Sequence, residues 1–283
     1  MSAKHSPGGL SLCPCRLLIA VSSMLALSAL AAVALSPPSH LSRREAMTGA
    51  ASFLGFSPIV ANAADVRKAK APPGGGGLVP IYFGAGCFWH VQHELVLFEQ
   101  ATLGRAGAEI SAITGYAGGT RLGSGGRVCY HNTENIADYG RLGHAEVVLV
   151  RVPPDAVGAF ASKYFGIFGK RGFRHDPQDQ GGEYRSVLGL PGGAASPHYA
   201  AVEAAAAGTP MVLRSGEGDE GDTLASKNVL VMDSDVFPFH RAEVYHQFHD
   251  DFQGPPYGAA YNNLRATLRA AGEIDRKGCP DIA

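Results

Sequence analysis

The sequence predicts an α+β fold: a two-layer sandwich with a ferredoxin-like split βαβ core, helices covering one face of a mainly antiparallel sheet. Two observations predict it. Short apolar runs bounded by glycines alternate with stretches of helical spacing in the order β-α-β-β-α-β. No internal repeat breaks that order, so a solenoid or propeller is excluded.

Each element has its own signal. Val79 to Ala85 is a short strand that runs into glycines. Phe88, Val91, Leu95 and Phe98 then fall at i, i+3, i+7 and i+10, which predicts a helix over 88–99. Ile110 to Tyr116 is a second strand, stopped by Gly118-Gly119. Residues 120–142 are Gly-rich and polar and read as a long loop, a kind usually tied to function or motion. His144 to Val152 is the clearest strand, dense in valine. Asp155 to Gly169 follows as a helix, with Asp155 as its expected N-cap. Ser186 to Leu190 is a fourth strand, His198 to Ala207 an Ala-rich helix and Asn228 to Met232 a late strand. Arg241 to Phe252 and Tyr261 to Ala271 read as closing helices, and Gly216 to Gly221 as an acidic surface loop.

Composition narrows the function classes. Across 283 residues, 24 Lys+Arg face 25 Asp+Glu, a formal charge of −1, so nothing favours a nucleic-acid partner. Hydrophobic residues at 46% and charged residues at 17% fit a folded globular chain rather than a disordered one. Five cysteines are too few for a disulfide framework of this length.

The first 63 residues read as a targeting presequence. Up to Ala64 the charged side chains are Lys4, Arg16, Arg43, Arg44 and Glu45, an acidic-poor balance. Leu17 to Leu35 is apolar or Ser throughout. A second apolar run, Ala46 to Val60, lies behind the twin arginines and ends in Ala61-Asn62-Ala63, an A-x-A-like cleavage site. Two apolar signals in series, the second of twin-Arg type, predict a bipartite address: import into an organelle such as a plastid, then delivery to a thylakoid lumen. One secretory signal plus a linker fits the same residues, as does a membrane anchor at Leu17–Leu35. Residues 64–77 are Lys-, Ala-, Pro- and Gly-rich and read as a linker. Residues 78–283 then form one domain with a C-terminal extension, expected as a monomer with no stable membrane association after processing. Cleavage removes four cations and one anion, leaving 20 against 24, together with Cys13 and Cys15.

Four segments carry chemistry. In Gly84-Ala-Gly-Cys-Phe-Trp89, glycines turn the chain after a strand and place Cys87 at a helix start, where unpaired N–H groups favour an anion. A thiol of pKa about 8.5 is a few per cent ionised at pH 7, and roughly 2.7 kcal/mol of preferential stabilisation would make the thiolate dominant. A buried structural cysteine suits the same hexapeptide, and Phe88 and Trp89 suit a core. In Gly143-His-Ala-Glu-Val-Val148, alternation puts Glu146 on the side of Val148, Val150 and Val152. A carboxyl among apolar side chains stays protonated, so Glu146 is a candidate acid; a Glu at the strand's wet end is the other reading. Thr114-Gly-Tyr-Ala-Gly-Gly119 delivers Tyr116 beside a glycine turn. His175-Asp-Pro and Gln180-Gly-Gly-Glu-Tyr-Arg-Ser186 place Asp179, Tyr184 and Arg185 just before a strand. A tyrosine donates an uncharged, directed hydrogen bond, though either could simply pack.

In this order the four segments resemble the A-type peptide methionine sulfoxide reductases, which act on the S epimer. The likeness runs from about Tyr82 to Leu190, with a weaker echo at Ala242-Glu-Val-Tyr-His-Gln247, and covers about half of the chain beyond the presequence. It implies Cys87 as nucleophile and sulfenic-acid carrier, and Phe88 and Trp89 as the wall for the substrate's S-methyl group. Glu146 would protonate the sulfoxide oxygen, Tyr116 and Tyr184 would hydrogen-bond it, and Asp179 would position the site. The implied activity is repair of oxidised proteins and reduction of free methionine sulfoxide, without a bound cofactor, by electrons from a thioredoxin-like reductant. The family's resolving cysteines usually sit in a Gly-Tyr-Cys context near the C-terminus, which is absent here. Cys279 is then the first candidate resolver and Cys129 the second, while direct reduction by an external thiol needs neither. The rival reading is a non-catalytic module that binds Met or Met-sulfoxide segments.

Glu243, His246 and His249 fall at i, i+3 and i+6, with His240 and Asp250 nearby. Such a stripe suits a metal, but the resemblance at 242–247 favours a structural role, and no metal is expected.

Overall fold

Strand Ala145–Val152 (β3) shows why this sequence makes a sheet covered on both sides. All but one of its residues are buried, and successive side chains enter two different cores. Val148, Val150 and Val152 face the helices; Ala145, Val147 and Leu149 face the opposite layer with Tyr82, Leu230 and Met232. Residues 77–275 and 278–280 are described by this computed structural model. The expected presequence and linker residues 64–76 lie outside the described residues. The described residues belong to one compact unit, Ala69–Ala283, and among them no helix is long and apolar enough to cross a membrane.

The chain order is β1 (Val79–Gly84), α1 (Phe88–Leu103), β2 (Ile113–Ala117), β3, α2 (Val157–Ile167) and β4 (Val187–Leu190). There follow α3 (Tyr199–Ala206), β5 (Val212–Ser215), β6 (Asn228–Asp233), β7 (His240–Arg241), α4 (Ala259–Asn262) and α5 (Leu264–Ala270). The seven strands lie in the order β5-β6-β4-β1-β3-β2-β7. The central four, β4-β1-β3-β2, pair antiparallel throughout, as two interleaved split βαβ units do. On one edge β7 adds antiparallel to β2; on the other, β6 and β5 extend the sheet in parallel. The α+β sandwich is therefore present, with a parallel wing the sequence did not announce. Strand β5 is short and mostly exposed and β7 is two half-buried residues long, so neither carries a periodic signal.

Four expectations are corrected. Strand β2 begins at Ile113 rather than Ile110, because the Glu99 carboxylate accepts the N–H groups of Ser111 and Ala112 before the ladder starts. Asp155 does not cap α2: it sits in a 3₁₀ turn, Pro154–Ala156, begun by the proline pair, and α2 follows from an uncapped Ala156. The 261–271 helix is two short ones, α4 and α5. Residues 241–252 do not form a helix. Ala242 N–H donates to Thr114 O (3.0 Å), Gln247 takes both main-chain groups of Thr114 (3.0 Å each), and Phe248 adopts φ 53°. Pairing along the edge of β2 outweighs the apolar spacing of that segment.

Candidate functional site

The site is built where β1 ends. Gly84 passes so close to Glu146 O and the Val187 side chain that a β-carbon would overlap them, and Gly86 holds φ 84°. Cys87 then stands at the N-cap of α1. The helix-end donors do not serve the sulfur first. Cys87 N–H donates to Asp179 Oδ2 at 2.7 Å and Phe88 N–H to Glu146 Oε2 at 2.9 Å. Two carboxyl groups thus occupy the helix terminus that the sequence assigned to a thiolate.

The thiol responds accordingly. Burial, then Glu146 and Asp179, push the Cys87 thiol well above its ordinary range, and the Trp89 N–H offsets little of this. The expected depression by the helix terminus is therefore reversed at rest: burial outweighs it, and the first two N–H groups already serve carboxyl oxygens.

Glu146 lies on the helix-facing side of β3 with Val148, Val150 and Val152 and is 2% exposed. Besides the Phe88 N–H, its Oε1 accepts the Tyr139 hydroxyl at 3.2 Å. Burial raises its pKa to about 8 against both hydrogen bonds, so the carboxyl keeps its proton at neutral pH. Asp179 is raised to about 6, chiefly by burial, with the Cys87 N–H and the Arg174 guanidinium pulling the other way. The Arg174 guanidinium also donates to the Asp179 carbonyl, holding the 174–179 run in place. Two carboxyls and one thiol are thereby gathered from three chain segments, all tending toward the protonated form.

Aromatic side chains complete the wall. Phe88 lies 6.0 Å from Tyr116 and 5.3 Å from His246 between ring centres. Trp89 is 6% exposed, stacked on His249 at 4.1 Å and met edge-on by Phe252 at 5.3 Å. Tyr116 stacks on Tyr139 at 4.6 Å, but its hydroxyl donates to Glu243 Oε2 at 2.8 Å, away from Glu146. Tyr184 joins through its main chain, its carbonyl accepting the Gly86 N–H at 3.2 Å. Cys87, Phe88, Glu146 and Asp179 are therefore in direct contact, with Trp89, Tyr116 and Tyr184 around them.

Sequence reasoning missed Tyr139, Tyr130 and the part played by Glu243. Tyr139 holds Glu146, and Glu243 bridges the Tyr116 hydroxyl and the Tyr130 N–H (2.8 Å). The available signal was the pair of tyrosines in an otherwise polar loop that leads straight into β3. His246 is 1% exposed, neither ring nitrogen has a hydrogen-bond partner, and burial lowers its pKa to about 3. The stripe of Glu243, His246 and His249 does not exist as a helical face, since that segment is a 3₁₀ turn, Val244–His246, followed by a turn through Phe248.

The two candidate resolving cysteines are bonded to each other: Cys129 and Cys279 form a disulfide with Cα atoms 5.7 Å apart. Cys87 is the free thiol among the described residues. The pairing follows from how both ends are held. Cys129 N–H donates to Ala137 O and Tyr139 N–H to Cys129 O, each at 2.8 Å, while Arg127 Nη1 donates to Gly278 O at 2.6 Å. These contacts deliver Cys279 to Cys129 rather than to Cys87.

No protein-family model matches this chain. The solved methionine sulfoxide reductase A of Corynebacterium diphtheriae aligns with 66% of this chain and 83% of its own, at 20% identity and a TM-score of 0.39. A curated relative, the peptide methionine sulfoxide reductase MsrA of Methylococcus capsulatus (strain Bath), is 34% identical over 124 residues, 41% of this chain and 46% of the relative. This chain thus spans about half the length of that relative, and over that span it is similar to a peptide methionine sulfoxide reductase.

Proposed function

We propose that this protein reduces methionine S-sulfoxide, free or in oxidised proteins, by thiol chemistry at Cys87. The observation that carries the reading is the buried, hydrogen-bonded Glu146, which holds a proton at neutral pH beside a free thiol. A sulfoxide oxygen is a weak leaving oxygen until it is protonated, and a neutral carboxyl in a dry site supplies that proton. As Glu146 protonates the oxygen, the Cys87 sulfur attacks the sulfoxide sulfur and its own proton passes to the Glu146 carboxylate. Cys87 S–H and the sulfoxide become Cys87 S–OH and the thioether: the cysteine sulfur loses two electrons and the substrate sulfur gains them. A resting thiol that is protonated suits this order, because the substrate rather than the helix terminus triggers the proton transfer. Phe88 and Trp89 would hold the methyl group, and Asp179 would keep the Cys87 backbone in register.

Regeneration uses an external thiol. With Cys129 and Cys279 joined, no second free thiol is available among the described residues. A thioredoxin-like dithiol would condense with Cys87 S–OH to a mixed disulfide and water, and its second thiol would release Cys87. No bound cofactor enters these steps. The address at residues 1–63 supports an organelle such as a plastid, whose thylakoid lumen is one destination, with secretion or a membrane anchor at Leu17–Leu35 as the alternative.

The test is turnover of a chiral peptide S-sulfoxide by the full chain, first with dithiothreitol and then with thioredoxin. Activity toward the S epimer, absent for the R epimer and abolished by Cys87→Ser, supports the proposal. Tight binding of the sulfoxide peptide without turnover would replace it with the binding-module reading.

A further inference from the structure

Outside the groups used above, His90, His175 and Asp251 bring their ligating atoms within 4.8 Å of one another. They come from three segments: the first turn of α1, the His175-Asp-Pro run whose role the site left unassigned, and the extended chain after Phe248. His90 Nδ1 and His175 Nε2 both address Asp251 Oδ2, at 3.8 and 3.4 Å. The other oxygen, Oδ1, accepts the N–H groups of Phe252 (2.6 Å) and Gln253 (3.3 Å), which fixes the carboxylate and turns Oδ2 toward the imidazoles. Gln253 Nε2 also donates to Asp176 Oδ2 at 2.9 Å, tying the His175 and Asp251 segments together beside the cluster.

We propose that His90, His175 and Asp251 form a binding site for one divalent transition-metal ion of the Zn²⁺ class. Two imidazole nitrogens and a carboxylate oxygen are the donor set such ions take, with a fourth position left for water. Donors about 2.0–2.1 Å from a tetrahedral ion stand roughly 3.3–3.4 Å apart, which the His175–Asp251 pair meets at 3.4 Å, while the His90–Asp251 pair at 3.8 Å must draw in. No hydrogen bond joins the three side chains to one another; Asp251 Oδ2 accepts one long bond, from the Tyr257 hydroxyl at 3.4 Å, which an ion would replace or share. The hydrogen bonds on Asp251 Oδ1 orient the ligand in the way outer partners of metal carboxylates do. The two rings lie face to face, with centres 3.7 Å apart and planes 5° from parallel. A shared ion therefore needs one ring to turn, and the His175 side chain, 38% exposed, can turn without repacking its surroundings.

Such an ion would clamp three pieces of chain that frame the thiol: the helix turn after Cys87, the run ending in Asp179, and the stretch carrying His249 and Phe252 over Trp89. The site does not depend on the sulfoxide reductase reading, and its test uses no substrate. Zn²⁺ binding to the full chain is measured by equilibrium dialysis and calorimetry, with Co²⁺ absorption as a readout of ligand type. The Cys87→Ser protein should keep the site, with Co²⁺ bands of a nitrogen–oxygen donor set. His175→Gln and Asp251→Asn should each weaken that site at least about tenfold, since disturbing even the outer partners of a metal ligand costs about 10–100-fold in affinity. Zn²⁺ should also raise the melting temperature of the Cys87→Ser protein and not of its His175→Gln derivative. Equal numbers of sites and equal affinities in the protein and in both variants would overturn the proposal. So would loss of the site in Cys87→Ser, which would give the ion to the thiol.

Discussion

Asp179 Oδ2 occupies the place where a β-carbon on Gly86 would have to stand, and the same oxygen accepts the Cys87 N–H at 2.7 Å. One atom therefore specifies a glycine and holds the backbone of Cys87. Gly86→Ala meets both the overlap and a φ of 84°, and should cost about 1–3 kcal/mol of stability. Thermal unfolding checks this, and sulfoxide reduction should fall with it because the displaced carboxylate releases Cys87.

Glu146→Gln separates the proton from the shape. The amide fills the same volume, so the fold should survive, whereas turnover should fall about 10²-fold or more if the carboxyl is the acid. Steady-state kinetics with dithiothreitol in excess measure it. Activity within a few-fold of the parent would remove Glu146 from the mechanism.

The raised pKa of Glu146 has a sign in both activity and stability. Activity should decline as pH rises through about 8, because the donor proton is lost there. Between the ordinary carboxyl value of 4.5 and about 8, the folded protein keeps a proton that the unfolded chain has released. The stability from this group is thus complete below about 4.5 and is lost as pH rises to about 8. Both slopes should vanish in Glu146→Gln, as read from a pH–rate profile and from denaturation midpoints across pH 5–9.

Tyr139→Phe and Tyr116→Phe should differ in kind. Removing the Tyr139 hydroxyl frees Glu146 Oε1 from a bond that lowers its pKa. The basic limb of the rate profile should then move upward, with about 1 kcal/mol of stability lost. Tyr116→Phe removes the donor to Glu243 Oε2 instead, while Oε1 keeps the Tyr130 N–H, so its effect should appear in unfolding, with no shift of that limb.

Replacing both Cys129 and Cys279 by Ser tests whether the disulfide is structural. The crosslink spans 150 residues, so its loss should cost about 2–4 kcal/mol. Turnover with dithiothreitol should persist, since Cys87 would be reduced directly. If the double variant loses multiple turnover while keeping the first, the pair takes part in regeneration.

The sequence was most legible where one periodicity decided the matter. Alternation along β3 placed Glu146 on the helix-facing side, among the valines that keep it protonated. Gly84 and Gly86 announced the sharp turn before Cys87. The failures share a cause: main-chain groups satisfied by distant side chains. Glu99 delays β2 by capturing two N–H groups, and Gln247 draws residues 242–248 along the sheet edge although their spacing imitates a helix. The Cys87 thiol was misjudged for a similar reason. The helix terminus was read as vacant, whereas carboxyls from 58 and 92 residues away fill it.

The covalent tie between residues 129 and 279 also has a timetable. At about 5–20 residues per second, the ribosome finishes the second sulfur roughly 8–30 s after the first. Tyr130 and Tyr139, which follow that first sulfur in the chain, therefore begin life on an untethered loop. The hydroxyl partner of Glu146 comes under covalent restraint only after residue 279 has been added and an oxidant is met, so maturation of this pocket is coupled to the redox conditions that the chain meets.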